Sequence, residues 1–312
     1  MASTIGQALR NANYWLIAQA ALTVIRGLRL LPADKALNFA DGAARKIGPL
    51  FGRHRVALDN IRKAFPEKSE QEVQAIASDM WGNMARLGAE YIFLDKLFDF
   101  HPDNQKPGRV EVRGIEIFER LAAEKGAPHI FFTGHLGNFE LLPVAAATFG
   151  LPMTAMFRPP NNPYIARYIM ERRNIASGSL LASRSGAALQ LARILDEGGN
   201  IGALVDQKFM YGIRGTFFGR ECETSPLLPK LTRQYDCDVF PARCMRLPGN
   251  RFLLELEDKI EMPRDGEGKI DVAASAQMMN DIVERWVRED PGQWMWFHKR
   301  WKLSAPKRRK KS

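Results

Sequence analysis

From Arg109 to Asp290, short apolar runs take turns with amphipathic stretches, and few architectures accept that rhythm. "RVEVRG" reads as a strand and "IEIFERLAAEKG" as a helix that stops at Gly126; "HIFFTG" is a second strand, and "NFELLPVAAATFG" a helix that stops at Gly150. "MTAMF" is a third strand, followed by a helix from Pro163 to about Ala176 and another over "SGAALQLARILDEGG". Then come strand "IGALVD", helix "SPLLPKLTRQYD", strands "VFPARCM" and "RFLLELE", and a closing helix over 271–290. Strands joined through helices line up in parallel, and a parallel sheet needs helices on its faces to bury it. The predicted class is α/β, a mostly parallel central sheet flanked by helices.

The first 94 residues lack that rhythm and read as a helical N-terminal region. Asp34 after Pro32 marks one helix start, and Ser69 with Glu72 three residues on is a capping box for another. "DFHPDNQKPG", 99–108, is a turn-rich break. The chain divides into an N-terminal membrane-associating helix (1–32), a helical region packed on the core (33–105), the α/β domain (106–303) and a basic, disordered tail (304–312).

The formal net charge of +10 sits at the ends. Residues 1–33 carry Arg10, Arg26 and Arg29 with no acid, and residues 296–312 carry eight Lys and Arg with no acid. A near-neutral body with basic ends suits a lipid headgroup surface, a nucleic acid or an acidic protein. Nucleic acid is disfavoured, because the basic residues are not interleaved with aromatics along a groove and no recognition motif occurs. In "YWLIAQAALTVIRGLRLLP", 14–32, only Trp15 to Ile25 is free of charge, short of the about 20 residues of a clean span. Aromatics at its start and arginines near its end fit a helix at a membrane interface or a short anchor; packing on the body is the plainer reading. Cys222, Cys237 and Cys244 are odd in number and form no CxxC, which points to a reducing compartment. No cleavable signal peptide is evident.

"FFTGHLGNFELLP", 131–143, ends an apolar strand in a histidine and places a carboxylate five residues on. Sites in α/β sheets form beyond the carboxyl ends of strands, where His135 sits, and the next helix points free N–H groups into the same crevice. Histidine is the usual base near neutral pH, and a carboxylate on its second ring nitrogen fixes the tautomer. Glu140 can do this from one turn inside the helix, with Gly134 and Gly137 letting the loop bend. A lone His-x4-Glu also arises by chance. No third His or Cys stands at zinc-ligand spacing, so no metal is expected, and no Gly-x-Ser-x-Gly nucleophile motif occurs.

These residues resemble a known family. "GHLGNFE" is similar to the His-x4-Asp/Glu motif of the glycerolipid acyltransferase superfamily, and its longer form resembles the bacterial lipid A late (secondary) acyltransferases of the lauroyl/myristoyl type. "FRPPNNP" (157–163), "VDQKFMYGIRGTFFG" (205–219), "PARCMR" (241–246) and "PGQWMWFHKRWK" (291–302) resemble further blocks of that family, in its order. "FPEKSEQEV" near the N-terminus also fits. Lys299 stands where the family usually has arginine, and Phe139 where tryptophan is common.

The resemblance implies transfer of a fatty acyl chain from an acyl carrier protein thioester to a hydroxyl of a 3-hydroxyacyl chain on a lipid A precursor. The setting would be the cytoplasmic face of the inner membrane, with no cofactor beyond the thioester co-substrate. Another membrane lipid, a glycophospholipid or aminolipid, is the alternative acceptor. His135 would be the base and Glu140 its support, with helix N-terminal amides and Asn138 stabilising the oxyanion. Arg158, after "MTAMF", suits a phosphate, or else is a surface ion pair. Asp206 and Gln207, after "IGALV", would hold the acceptor or buttress Arg158, or form a local turn. Arg214, Gly215 and Thr216 are further candidates for the phosphate or sugar, and Phe217 and Phe218 for core or acyl-pocket wall. "WMWFHKRW" suits a membrane interface or a segment packed on the sheet. The polybasic tail would meet anionic lipid or the acidic carrier protein.

Overall fold

The computed structural model describes residues 2–100, 108–124, 126–176 and 179–305. Five helices come first: α1 (Ala2–Arg29), α2 (Ala33–Ile47), α3 (Arg53–Ala64), α4 (Glu70–Glu90) and the single turn α5 (Leu94–Leu97). The predicted capping box is present at α4. Ser69 Oγ accepts from the Glu72 N–H at 3.3 Å, and Glu72 Oε2 accepts from the Ser69 N–H at 2.9 Å.

The alternation follows as β1 (Val110–Arg113), α6 (Ile115–Ala123), β2 (Ile130–Thr133), α7 (Leu141–Thr148), β3 (Met153–Phe157), α8 (Pro163–Ala176), β4 (Ser179–Ala182), α9 (Ala187–Asp196) and β5 (Asn200–Leu204). A hairpin, β6 (Ile213–Phe217) and β7 (Arg220–Thr224), precedes α10 (Leu227–Tyr235), β8 (Val239–Leu247), β9 (Arg251–Leu256) and α11 (Val272–Glu289). The main sheet runs β1-β9-β8-β2-β5-β3-β4. Every pair in it is parallel except β8 with β9, which a tight turn joins. Sequence reading misses β4, whose "SLLA" is too short to show a period, and the β6/β7 hairpin, whose "IRGTF" and "RECET" carry few apolar residues.

Side chains alternate between the two faces of the sheet. Phe131, Met153, Phe240 and Leu254 pack with Phe118 of α6 and Leu142 and Ala145 of α7. Phe132, Ile201, Ala203 and Val239 pack on the other face with Ile61 of α3, Met80 of α4 and Met279 and Trp286 of α11. The early helices α3 and α4 thus share the core of the α/β part.

Of the two readings of the aromatic C-terminal segment, the packed one describes its tryptophans. Trp294, Trp296 and Arg300 are 1%, 0% and 0% exposed. Both indoles have internal partners: Trp296 Nε1 donates to the Pro291 carbonyl at 2.7 Å and Trp294 Nε1 to Asp206, and Asn60 of α3 donates to the carbonyls of Trp296 and His298. An indole whose N–H is satisfied inside the protein gains nothing at a headgroup layer. Exposed large apolar side chains include Leu16 and Val24 of α1, Leu30, Phe39 of α2, Leu50 and Phe51. Among the described residues no helix is long and apolar enough to cross a membrane. The tail beyond residue 305 lies outside the described residues.

Candidate active site

Strand order and register bring the candidates together. β2, β5 and β3 are neighbours, and Thr133 pairs with Leu204. His135 and Asp206 each lie two residues past that pair, at the same edge. Asp206 Oδ1 lies 2.7 Å from His135 Nδ1, and Asp206 Oδ2 accepts the His135 backbone N–H at 2.7 Å. Trp294 Nε1 also donates to Oδ2, at 2.7 Å. Burial alone would raise the Asp206 carboxyl; the adjoining His135 ring and the donors from His135 and Trp294 outweigh it and hold the group well below the usual range. A carboxylate with three donors aimed at it stays ionised. Facing it, Nδ1 of His135 carries the proton, and Nε2 is left with the lone pair.

Gln207 Nε2 lies 2.9 Å from His135 Nε2 and donates to that lone pair. Phe139 packs edge-on against the imidazole, with ring centroids 5.1 Å apart. The site is therefore an outward-facing base, oriented by a buried carboxylate and covered by an amide.

Glu140 is placed differently from the sequence reading. The spacing predicts it one turn inside α7 and against the ring. Instead α7 starts at Leu141, Glu140 is its N-cap, and the two ring nitrogens are matched with Asp206 and Gln207. The reason is the loop: Gly137 turns at φ 49°, and a Cβ there would lie 2.1 Å from the Cys244 carbonyl oxygen. That turn carries Glu140 away from the ring and into the wall of an apolar cavity, where it is 5% exposed.

The amides proposed for an oxyanion are also committed. The N–H groups of Gly137 and Asn138 donate to the carbonyls of Gln293 and Cys244, and those of Leu141 and Leu142 donate back into the loop. Asn138, fully buried, gives its side-chain amide to Glu90 Oε2 at 2.9 Å and accepts the Glu140 N–H at 3.1 Å. Glu90 in turn pairs with Arg246, whose Nε donates to Asn83 at 2.7 Å. Asn138 is thus a brace that ties the histidine loop to α4 and β8, and Arg246 explains why the strand block ends in arginine.

Arg158 follows β3 at the same sheet edge, exposed and with no ion pair among the described residues. β5 lies between β2 and β3, so His135 and Arg158 stand about 10 Å apart across the strands. Arg214, Gly215 and Thr216 lie apart, on β6. Arg214 pairs with Glu221 at 2.6 Å; Thr216 takes Gln277 Oε1 of α11 on its N–H at 2.8 Å; a Cβ on Gly215 would meet the same Gln277 oxygen at 2.7 Å. Gly215 and Thr216 dock the hairpin on α11, while Arg214 pairs across the hairpin. Phe217 and Phe218 are core, packed at tilted angles among Trp294, Trp296 and Trp301.

Sequence reasoning does not identify Asp206 as the histidine's partner, nor Trp294 and Arg300 beneath it. Arg300 donates to the Gln207 and Glu223 carbonyls at 3.0 and 2.6 Å, which fixes the backbone of Gln207. His298 accepts the Lys208 N–H on Nε2 at 3.1 Å, and burial lowers its pKa to about 4, so it stays neutral. The cysteines are buried, and burial raises Cys237 and Cys244 to about 11 and about 12, which keeps them thiols.

Beside the histidine, between the sheet and α6/α7, lies an apolar cavity of about 60 Å³. Phe118, Phe139, Leu142 and Met156 form its walls, and Ala155, Gly202 and Ala242, on three strands, form a floor of small residues.

A carboxylate-held histidine at a strand end, beside an apolar cavity, is an arrangement that acyl-transfer and hydrolytic chemistry can use. The chain belongs to the bacterial lipid A biosynthesis acyltransferase family, whose profile it matches over residues 5–303. It is 26% identical over 309 residues to the lipid A biosynthesis myristoyltransferase of Escherichia coli (strain K12), covering 96% of this chain and 91% of that one. It is 25% identical over 303 residues to the lipid A biosynthesis lauroyltransferase of the same organism, covering 92% and 88%. The lipid A biosynthesis palmitoleoyltransferase of that organism is 23% identical over 260 residues. Acyl transfer in lipid A biosynthesis is therefore the reaction class.

Proposed function

We propose that the chain moves a fatty acyl group from an acyl carrier protein thioester to a hydroxyl of a 3-hydroxyacyl chain on a lipid A precursor, with His135 as general base. The observation that carries this is the His135–Asp206 pair, which leaves an outward lone pair on Nε2. The acceptor O–H displaces the Gln207 amide from that lone pair and gives its proton to Nε2 as its oxygen attacks the thioester carbonyl. The carbon–sulfur bond breaks, and the imidazolium returns the proton to the leaving thiolate. No acyl-enzyme is required, in keeping with the buried cysteine thiols. Asp206 steadies the imidazolium by charge and holds its tautomer.

Once displaced, the Gln207 amide is left beside the reacting carbonyl, as a donor for the oxyanion that the loop amides do not serve. The donor chain would enter the cavity past Phe139 and Glu140. At about 60 Å³ the cavity is less than half the ~150 Å³ that holds a benzene, so Phe139 and Met156 must give way to admit a fatty chain. Arg158 is in reach of a phosphate on the lipid or on the carrier's phosphopantetheine arm.

The exposed apolar side chains of α1, Leu30 and α2, beside Arg26 and Arg29, support binding to the cytoplasmic face of the inner membrane. The test is an assay of the purified full chain with a set of acyl carrier protein thioesters and a tetra-acylated lipid A precursor, read by mass spectrometry. One added acyl chain, absent with His135→Ala, is the expected result. No gain with any donor would overturn the acceptor, and a gain with His135→Ala would overturn the base.

A further inference from the structure

Away from the histidine, α1 and α8 enclose a groove of about 430 Å³, within the size range of small-ligand sites. Arg26 and Arg29 reach it from α1, and Arg167 with Tyr164, Tyr168 and Glu171 from α8. Three guanidiniums face one carboxylate there, and none of the three arginines makes an ion pair among the described residues. Arg62, Arg193 and Arg285 each hold a carboxylate; what sets the groove apart from lone exposed arginines such as Arg158 is that three cations gather round one concavity. Like charges gathered round a concave surface repel one another unless an anion joins them. Guanidiniums beside tyrosine hydroxyls are the donor set that suits phosphate oxygens.

The position of the groove narrows the ligand. α1 carries exposed Leu16, Ile17 and Val24 and leads into exposed Leu30. A basic pocket flanked by such a surface receives a headgroup whose tails stay in the bilayer. Asn162, in the loop between β3 and α8, donates to the Tyr14 carbonyl at 2.8 Å and ties α1 to the sheet edge that carries Arg158 and His135. We infer that the groove between α1 and α8 binds the phosphate of a lipid headgroup, outside the catalytic site. It rests on the membrane reading above only for the ligand being a lipid. Two lipids share this chemistry, a phosphorylated acceptor and an anionic phospholipid of the bilayer.

The test compares the full chain with Arg26→Glu/Arg167→Glu and with Arg10→Glu/Arg53→Glu, an equal charge change outside the groove. The binding probe is dihexanoyl phosphatidic acid below its micelle concentration, with dihexanoylglycerol as the phosphate-free control. The groove variant should lose about tenfold or more in affinity for the phosphatidic acid, and the control variant should not. Equal loss in both variants, loss in neither, or equal binding of dihexanoylglycerol overturns the inference. The source is then read from two further arms. A raised KM for the lipid A precursor at unchanged kcat assigns the acceptor's phosphate. Unchanged KM with reduced flotation on phosphatidylcholine vesicles containing phosphatidylglycerol assigns the bilayer. Because the binding arm needs no turnover, it still reads if acyl transfer itself is not found.

Discussion

Asp206→Asn is the sharpest probe of the site. The carboxylate takes His135 Nδ1 on one oxygen and both the His135 N–H and the Trp294 indole on the other. An asparagine that keeps its carbonyl on the two-donor side preserves those bonds and turns its NH₂ toward Nδ1. The ring must then put its proton on Nε2, the nitrogen that has to accept one. The reversed tautomer in a Ser-His-Asp triad costs about 10,000-fold in kcat, about 5.5 kcal/mol of barrier, and a loss of that order is expected here. Stability should fall only by about 1–2 kcal/mol, provided the Gln207 amide turns over to offer its oxygen to the new Nε2–H. The assay is kcat at saturating thioester and acceptor, with urea unfolding alongside and ¹⁵N NMR of the imidazole to report the tautomer. Activity within about tenfold of the parent, in a variant whose ring has changed tautomer, would refute the general-base reasoning.

Four other outcomes are expected. Glu90→Ala strips the partner from the buried Arg246 and should cost about 3–5 kcal/mol in urea unfolding; a loss under about 1 kcal/mol would show that Arg246 finds water or another acceptor. His298 has its pKa lowered to about 4, so the unfolded chain takes up a proton that the folded one refuses. The stability it contributes is whole above about pH 6.5 and fades as pH falls toward 4, by about 3 kcal/mol at most, and His298→Asn should flatten unfolding free energy over that window; an unchanged slope would assign acid sensitivity elsewhere. Ala155→Leu fills the cavity floor and should shift donor preference to shorter acyl chains in competition assays; an unchanged chain-length profile would place the acyl chain outside this cavity. Arg158→Ala should raise KM for the natural acceptor with little change in kcat, and equal kinetics would leave it a solvated surface cation.

The sequence by itself determined the class of fold and the location of the chemistry. Apolar runs separated by helix-length segments require a parallel sheet, and a polar motif that closes such a run must lie at the sheet's carboxyl edge. His135, Arg158 and Asp206 were legible for that reason, and the order of the blocks carried the family. Which residues touch was decided only by the tertiary structure. Strand order is not written along the chain: β5 lies beside β2 although β3 and β4 come between them in sequence, and that adjacency sets Asp206 against His135. Proximity in sequence favours Glu140 instead, but a single turn at Gly137 sends it into the cavity wall. The tryptophans of "WMWFHKRW" have one composition and two possible homes, and the choice fell to the donors they could satisfy inside. Trp294 found Asp206, which makes a segment that reads like a membrane belt into the floor of the site.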